Sequence, residues 1–394
     1  MARSLPSLVI GERVLTLDPR PQGKATIDVE ALSRHLCILG TTGSGKSTCA
    51  AVIALELESA KIPTIVLDRT GEYVELLSSL DPTVLRPGEN LVISPFDPKD
   101  SYAYKQIEDW ISLLDHFSHV SHGVGLSPLQ YRVLREVFDN YFHGTRRPLA
   151  IQELLTRLEQ YEEETNASVL KGWPESIEAL ISKLWPLAHG VVGKTLNTYS
   201  RSIDVEQFFQ PGLTIIDLSP LPDDRAKNML SQIILKELYE EVRKKGRTGS
   251  IRLVMILDEA QHLAPNEKGY VSIPERCAME LRKYGFSLVT CAGRPSLISQ
   301  NIIANSNTLI CHMLNNQLDI ETAAGFFIGS NVKDSLRRLP VGIAMLQVNH
   351  PEPKDSARVR VGTVDQRNIL ALGLRGSASG SEARLEEIIR AEPL

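Results

Sequence analysis

The chain has 394 residues, of which 42% are hydrophobic and 23% are charged, which is ordinary globular composition. That length is enough for one large domain or two modest ones. The formal net charge is −5, so the surface as a whole does not attract nucleic acid, and any such contact needs a local basic patch or several subunits around one channel.

Cysteine use and hydropathy exclude two further classes of protein. The five cysteines are scattered and none forms a C-x-x-C pair, which predicts reduced core residues and not a disulfide or zinc framework. No apolar run approaches the ~18 residues of a membrane span, and the first residues lack a hydrophobic segment long enough for a secretory signal. The sequence therefore predicts a cytoplasmic protein without a membrane partner.

The first part of the chain predicts strands around one helix. Residues 1–33 indicate a short strand-rich lead-in, because SLVIGERVLTL alternates weakly and DPRPQGK is rich in turn residues. HLCILG predicts a buried strand, residues 47–60 carry apolar side chains at helical spacing, and IPTIVLD predicts a second strand that ends at Asp68. This order is typical of a parallel sheet.

The middle of the chain predicts a helical insertion within one α/β core. Between about residues 100 and 200 the pattern is amphipathic and helical. Strands return with GLTIIDLS, IRLVMILDE, GFSLVTCAG and NTLICHML. We therefore expect a main domain over residues 34–350. Residues 351–394 are expected to contain a strand, the flexible linker GSASGS and a short tail helix.

The segment GTTGSGKS, residues 40–47, fits the phosphate-binding pattern G-x-x-x-x-G-K-[ST] without mismatch. Glycines let successive N–H groups point at the β-phosphate, and the following helix presents its positive end to the same anion. Lys46 would bind the β- and γ-phosphates, Ser47 would ligate Mg²⁺, and Thr48 would face the α-phosphate. The alternative, a chance glycine-rich turn, does not explain the strand before it and the helix after it. The expected nucleotide-binding residues are Thr42, Gly43, Ser44, Gly45, Lys46, Ser47 and Thr48.

Hydrolysis also needs acidic residues at the end of a second strand. The segment IRLVMILDEAQHLAP provides them, because its apolar residues lead directly into Asp258 and Glu259. Asp258 would hold Mg²⁺ through water, and Glu259 would orient and deprotonate the attacking water. The alternative is a helix N-terminus at which the carboxylates favour the macrodipole. In a chain with an intact phosphate-binding loop we prefer the catalytic interpretation, so the expected cofactors are ATP and Mg²⁺.

Together these motifs resemble the HerA/FtsK superfamily of P-loop motor ATPases, and HerA-like proteins most closely. The matching segments, in the family's order over residues 33–350, are RHLCILGTTGSGKST, IVLDRTGEY, LVMILDEAQHLAP, ELRKYGFSLVTCAGRPS and NTLICHML. The resemblance implies a RecA-like P-loop core with a mainly parallel sheet. It also implies a homo-oligomeric ring, usually a hexamer, with ATP at subunit interfaces, DNA moved through the channel, and a nuclease or other effector partner in DNA-end processing or antiviral defence.

The resemblance also implies roles for residues outside the two main motifs. Arg282 matches the family arginine of the R-K-x-G segment and would act in trans on the nucleotide of a neighbouring subunit, with a surface arginine at a helix end as the alternative. Asp68 and Glu72 match an acidic pair that would order Mg²⁺ or water, with a capping turn as the alternative. Arg294 is a further candidate.

The chain also departs from the family pattern. It has Gly293 where the family's T-Q-R-P segment carries glutamine, and glycine offers no side-chain donor. This puts the rate of hydrolysis in doubt, and Thr290 and Ser296 are the neighbouring hydroxyls that would substitute. His312 and Met313 stand where many members have a basic residue, so a second interface arginine is not evident. The lead-in is too short for the small β-barrel common in HerA proteins.

Two further signals have lower priority. His116, His119 and His122 share the spacing of one helix face, but no cysteine or carboxylate pattern completes a metal site, so a polar helix end is expected. The basic residues 243–247 would line a channel or cap a helix C-terminus, and the cap is favoured. Without a sequence-reading motif, DNA would be contacted through its backbone and without sequence specificity.

The sequence thus predicts a ring-forming, Mg²⁺-dependent ATPase that translocates or pumps double-stranded DNA for a partner nuclease. Two alternatives stay open at this point. One is an oligomeric nucleotide-binding scaffold with slow turnover that organises an effector. The other is an ATPase for DNA transfer or packaging.

Overall fold

A computed structural model describes residues 7–14, 20–98, 103–164, 173–198, 204–267, 271–349 and 357–362. The linker GSASGS and the tail helix expected near the end of the chain lie outside the described residues. Across those ranges, every helix is too short or too polar to cross a lipid bilayer.

Strands and helices alternate over much of the chain. The strands are β1 (Ser7–Arg13), β2 (Lys24–Asp28), β3 (Leu36–Leu39), β4 (Thr64–Asp68), β5 (Thr83–Leu85), β6 (Leu213–Asp217), β7 (Leu253–Leu257), β8 (Phe286–Ala292), β9 (Thr308–Cys311), β10 (Ile343–Val348) and β11 (Ala357–Val361). The helices are α1 (Val29–Leu32), α2 (Lys46–Ser59), α3 (Glu72–Leu76), α4 (Ala103–His122), α5 (Pro128–Gly144), α6 (Ile151–Glu164), α7 (Trp173–Leu184), α8 (Gly190–Leu196), α9 (Asp224–Lys244), α10 (Ile273–Glu280), α11 (Gln300–Asn305), α12 (Gln317–Ala324) and α13 (Val332–Arg338).

The strands of the described residues form one sheet in the order β2-β1-β11-β10-β9-β3-β8-β7-β4-β6-β5. The strands from β9 to β5 in that order are parallel to one another. The strands β10, β11, β1 and β2 extend the sheet in antiparallel fashion. A mainly parallel α/β sheet, with helices α4 to α8 inserted between β5 and β6, confirms the predicted fold class.

The strand-rich lead-in is joined to the end of the described chain. Strand β1 pairs with β2 on one side and with β11 on the other, where Gly11 lies opposite Val361. The backbone N–H of Val9 donates to a Glu56 carboxylate oxygen of α2 at 2.7 Å. Helix α2 is therefore buried on nearly all sides and not only on one face, because β1 and α3 contact it in addition to the sheet.

Two hydrophobic cores lie on opposite faces of the sheet, since successive strand side chains point in opposite directions. In β3, Leu36 and Ile38 belong to the core that contains α2. Cys37 and Leu39 belong to the core that contains the inserted helices and α9. All five cysteines are buried and free, which confirms the expectation of reduced core residues.

The inserted helices are held together by aromatic packing. The Trp110 ring of α4 lies 6.0 Å from Phe96, 5.6 Å from Phe138 and 5.0 Å from Phe142, measured between ring centroids. Aromatic side chains bury large apolar areas, so this cluster accounts for much of the packing between α4 and α5.

A buried histidine fixes the start of β3. His35 has a φ of 65°, and its Nε2 lies 2.9 Å from the Ala278 carbonyl oxygen of α10. Its Nδ1 accepts a hydrogen bond from the Leu288 N–H of β8 at 3.0 Å. The ring is therefore neutral with its proton on Nε2, and burial lowers the pKa of His35 to about 4.

This lowered pKa predicts a pH-dependent contribution to stability. As pH falls, the unfolded chain binds a proton on His35 before the folded chain does, so stability is lost from pH 6.5 towards pH 4. Between pH 7 and pH 5 we expect a loss of about 2 kcal/mol from this residue. In His35→Asn, whose new side chain tolerates positive φ, that component should disappear. Urea unfolding of both proteins at the two pH values measures it, and equal losses in both would contradict it.

Candidate functional site

The phosphate-binding loop, residues 40–47 and hereafter the P-loop, joins the carboxyl end of β3 to α2. Gly40, Gly43 and Gly45 have φ values of 153°, 77° and 108°, which favour glycine. At Gly40 a Cβ would also come within 2.6 Å of the Ser44 hydroxyl oxygen. The glycines at the first, fourth and sixth positions of the P-loop are therefore required by backbone geometry.

Both strands that flank β3 hold the P-loop in place. The Gly40 N–H donates to the Ala292 carbonyl of β8 at 3.3 Å, and the Thr41 N–H donates to the Met313 carbonyl beyond β9 at 2.9 Å. The Thr41 hydroxyl donates to the same Met313 oxygen at 3.2 Å. The P-loop is thus fixed at the edge where the parallel strands end, here called the carboxyl edge.

The predicted phosphate-binding side chains lie at this edge. Lys46 is buried, and its ammonium donates to the Thr41 carbonyl oxygen across the P-loop at 3.1 Å. Ser47 and Thr48 are half-buried in the first turn of α2, and Thr42 is exposed at the tip of the loop. The structure therefore brings together the loop residues that the sequence singled out.

The His312 side chain packs against the P-loop. It is fully buried, and a Cβ on Gly45 would lie 3.4 Å from its Cε1 atom. Burial and the nearby Lys46 ammonium lower the pKa of His312 to about 4, so the ring is neutral at physiological pH. It supports the loop and does not supply the cation that many family members have here.

Four carboxylates converge at the carboxyl edge beside the P-loop, and we call Asp68, Glu72, Asp258 and Glu259 the acidic cluster. Asp258 follows β7, is buried, and donates its backbone N–H to the Leu67 carbonyl of β4 at 3.3 Å. Burial first, and then the negative charges of the other three carboxylates, raise the pKa of Asp258 to about 7. Such an excess of negative charge favours a bound cation.

The water-activating candidate Glu259 is held in an unusual conformation. Its φ of 47° and ψ of 46° are left-handed, which costs about 1–2 kcal/mol for a residue other than glycine. The Gln261 amide donates to a Glu259 carboxylate oxygen. The side-chain amide oxygen of Gln261 accepts a hydrogen bond from the Gly293 backbone N–H at 3.2 Å. Sequence reasoning missed Gln261, although its place two residues after Glu259 is visible in the motif.

The hydroxyls expected to substitute for the family glutamine are engaged elsewhere. The Thr290 hydroxyl donates to the Leu36 carbonyl at 3.4 Å, and the Ser296 hydroxyl donates to Asp319 at 2.6 Å. The Arg294 guanidinium also binds Asp319, at 2.7 Å. The contacts with Asp319 hold the segment after β8 against α12, and the two hydroxyls have partners other than Glu259.

The geometry around Asp68 is that of a capping turn. One carboxylate oxygen accepts the N–H groups of Thr70 at 3.1 Å and Gly71 at 2.8 Å, and the other accepts the Tyr73 N–H at 2.9 Å. The carboxyl is fully buried, and burial raises its pKa despite these bonds. Glu72 is exposed in the first turn of α3. Of the alternatives considered for Asp68, the capping turn is favoured.

A buried arginine accompanies the acidic cluster, and sequence reasoning missed it. Arg69 donates to Asn228 at 2.7 Å and to Asp224 at 2.8 Å. Burial lowers its pKa, while the charges of Asp224, Asp258 and Glu259 act in the opposite direction. Its position directly after Asp68, inside the quoted segment IVLDRTGEY, was the available signal.

The structure does not bring Arg282 to the P-loop of its own copy. Arg282 is exposed in the 3₁₀ turn Leu281–Tyr284, which precedes the amino end of β8. The seven residues of β8 separate it from the carboxyl edge by about 20 Å. Arg34, which precedes β3 and which sequence reasoning missed, lies near it, and partial burial and the Arg34 charge lower the pKa of Arg282.

The three histidines of α4 do not share one environment. Burial lowers the pKa of His116 to about 4. His119 and His122 are exposed, and the His119 ring lies 3.9 Å from the Glu267 carboxylate. Among the described residues, no three or more histidine, cysteine or acidic side chains are arranged to hold a metal ion by themselves.

The basic residues at the end of α9 make contacts within the chain. Arg243 donates to the Tyr239 hydroxyl at 3.2 Å, and the Lys245 ammonium lies 4.4 Å from the centre of the Phe209 ring. Arg252 donates to the carbonyl oxygens of Lys245 and Gly246. These contacts favour a role at the helix end over a role in a channel.

Comparison with known proteins identifies the family. Residues 10–238, more than half of the chain, match the family model described as "Helicase HerA, central domain". The DNA double-strand break repair helicase HerA of Sulfurisphaera tokodaii is 25% identical over 348 residues, 82% of this chain and 64% of that protein. HerA of Pyrococcus furiosus is 24% identical over 356 residues, 78% of this chain and 62% of that protein. The chain therefore spans less than two thirds of the length of these relatives.

Solved structures share the fold at low sequence identity. VirB4 of Thermoanaerobacter pseudethanolicus superposes with a TM-score of 0.69 at 16% identity, covering 92% of this chain and 99% of that one. The plasmid coupling protein TrwB, in complex with a non-hydrolysable GTP analogue, gives 0.63 at 15% identity, covering 92% and 96%. With its P-loop at the carboxyl edge of a RecA-like sheet, the chain belongs to the HerA central-domain family of P-loop ATPases.

Proposed function

We propose that this chain is the ATPase core of a DNA-translocating motor. The observation that carries the proposal is that Lys46 of the P-loop and the pair Asp258–Glu259 lie at the carboxyl edge of one parallel sheet. Support comes from the relatives, which are named DNA double-strand break repair helicases. TrwB, which shares the fold, is described in complex with an ATP analogue and with ADP and Mg²⁺.

The P-loop would bind the phosphates of ATP. Its positive-φ glycines allow the backbone to curve around an anion, and α2 adds the positive end of its dipole. The Lys46 ammonium already lies over the loop, where it donates to the Thr41 carbonyl, and it would exchange this bond for the β- and γ-phosphates. Residues 42–48 would make the nucleotide contacts.

Asp258 and Ser47 fit the requirements of a nucleotide-bound Mg²⁺. Magnesium is usually bound by one or two protein oxygens, with phosphates and water completing its shell. The raised pKa of Asp258 within the acidic cluster indicates a site that a cation would stabilise. The ion would neutralise charge on the phosphates as the γ-phosphoryl group is transferred.

Glu259 would accept the proton of the attacking water. As the water oxygen bonds to the γ-phosphorus, the bond from that phosphorus to the bridging oxygen breaks, and ADP and phosphate are released. The buried Arg69 guanidinium lies close enough to Asp258 and Glu259 for their charges to act on it, so it places a positive charge near these two carboxylates.

The motor would require neighbouring copies of the chain. Arg282 lies at the opposite edge of the sheet from its own P-loop, so it would act on nucleotide bound by an adjacent subunit. A homo-oligomeric ring, hexameric as the family resemblance implies, would place it there. Double-stranded DNA would be contacted through its backbone without sequence specificity, and a nuclease or other effector would use the movement.

The first prediction concerns hydrolysis and its stimulation by DNA. Native protein should hydrolyse Mg·ATP faster with duplex DNA. Glu259→Gln should bind ATP but lose about 10²- to 10⁴-fold in rate, because the base is removed, and Lys46→Ala should lose ATP binding. Glu75→Gln, an exposed carboxyl change in α3, is the matched control. Tight ATP binding without turnover at any DNA concentration would support the scaffold alternative instead.

The second prediction tests whether two copies share one site. Arg282→Ala should reduce turnover about 10³-fold or more, because an arginine acting in trans stabilises transition-state charge. Mixing Arg282→Ala with Lys46→Ala should restore part of the activity, since some interfaces then combine an intact P-loop with an intact Arg282. Lys283→Ala, the adjacent exposed cation, is the control for loss of charge. Full activity of Arg282→Ala alone, or of a monomeric particle, would exclude a shared site.

A further inference from the structure

The chain has no side-chain amide directly after β8, at the position where the family pattern has glutamine. Residue 293 is glycine, and its backbone N–H is bonded to the Gln261 side chain. The neighbouring hydroxyls of Thr290 and Ser296 donate to Leu36 and Asp319, so neither is directed at Glu259. The side chain that donates to the Glu259 carboxylate is instead that of Gln261.

The Gln261 amide bridges the ends of two neighbouring strands. Its nitrogen donates to the carboxylate of Glu259, which follows β7, and its oxygen accepts from the N–H of Gly293, which follows β8. The orientation of the amide is fixed by chemistry, because the reverse orientation would place oxygen against carboxylate and NH₂ against N–H. One side chain therefore orients Glu259 relative to the strand that normally carries the glutamine.

The space beside Gly293 also indicates that the two positions are interchangeable. A Cβ built on Gly293 would lie 3.5 Å from a Glu259 carboxylate oxygen and 3.7 Å from the Gln261 amide nitrogen. A longer side chain at residue 293 would thus extend into the volume that the Gln261 amide occupies. The φ of Gly293 is not positive, so its backbone conformation is compatible with a side chain. Shortening the Gln261 side chain would provide the space for it.

The turn that carries Gln261 is rigidly supported. Gln261 lies in the 3₁₀ turn Ala260–His262, and the Ala264 N–H donates to the Ala260 carbonyl at 2.9 Å. The Ser299 N–H donates to the Ala264 carbonyl at 2.8 Å, which joins the turn to the segment after β8. A side chain on such a fixed turn can hold a partner in one orientation.

We propose that Gln261 is a positioning residue for hydrolysis and replaces the strand-borne glutamine that this chain lacks. It holds the Glu259 carboxylate towards the attacking water from the adjacent turn and couples that orientation to the end of β8. This inference rests on the proposed ATPase function and adds a residue to it.

The test compares steady-state hydrolysis of Mg·ATP, with and without duplex DNA, in native protein and variants. Gln261→Ala should lower kcat about 10- to 100-fold and change the KM for ATP by less than about threefold, because orientation is lost and the P-loop is intact. Gln261→Met, of similar length but without an amide, should show the same loss. Thermal unfolding and ATP binding of each variant report whether the fold is retained.

Rescue distinguishes positioning from packing. Adding Gly293→Gln to Gln261→Ala should restore kcat to within about tenfold of native, because an amide again reaches Glu259 from the neighbouring strand. Gly293→Gln alone should give no gain, since Gln261 occupies the space. His262→Ala, an exposed change in the same turn, is the matched control.

The outcomes separate this inference from the proposed function. If native protein binds ATP but does not hydrolyse it with or without DNA, the proposed function fails and the inference fails with it. If native protein is active and Gln261→Ala and Gln261→Met retain its kcat, the inference alone is overturned. It is also overturned if Gly293→Gln changes kcat equally in the presence and absence of Gln261, because the two positions then act independently.

Discussion

The parallel pairing of β3 with β8 and β9 determines where every other part of the candidate site lies. Leu39, the last residue of β3, is opposite Ala292 on one side and Cys311 on the other. The residues that follow these three strand ends are the P-loop, Gly293 and His312, so they meet although the sequence separates them widely. The pairing of β7 with β8, with Leu257 opposite Thr290, brings Asp258 and Glu259 to the same edge.

The elements predictable from sequence are those whose signal is local. The strand, turn and helix around Lys46 are defined by contiguous residues, and Asp258 and Glu259 directly follow an apolar strand, so the sequence alone predicts both motifs. The burial of α2 on nearly all sides was not predictable, because it depends on β1, which is held by pairing with β11 near the far end of the described chain. The contact of Gln261 with Gly293 was hidden for the same reason, since it requires the register of two strands.

The two edges of the sheet differ in charge, although the chain as a whole carries a net charge of only −5. The carboxyl edge carries the acidic cluster, where burial and then the charges of the neighbouring carboxylates raise the pKa of Asp258. The amino edge carries Arg34 and Arg282, and partial burial followed by the Arg34 charge lowers the pKa of Arg282. At the carboxyl edge Arg69 lies near the acidic cluster, whereas Arg34 and Arg282 at the amino edge are two cations close to each other. The anionic nucleotide of an adjacent copy would offset the two positive charges of the amino edge, which is the electrostatic reason to propose a shared site.

The proposed role of Gln261 gives hydrolysis a direct mechanical connection to the sheet. A glutamine side chain attached directly after β8 would contact Glu259 from that strand alone. Gln261 is instead attached to the turn after β7 and bonded to the backbone after β8, so it spans the boundary between the two strands. A shift between these strand ends would break the bond to Gly293 and release the amide that holds Glu259. Glu259 has a left-handed backbone conformation, and its carboxylate accepts a hydrogen bond from the Gln261 amide. In the proposed ATPase, a small displacement at this boundary would then change the rate of hydrolysis without altering the P-loop, so nucleotide binding and turnover would be affected separately.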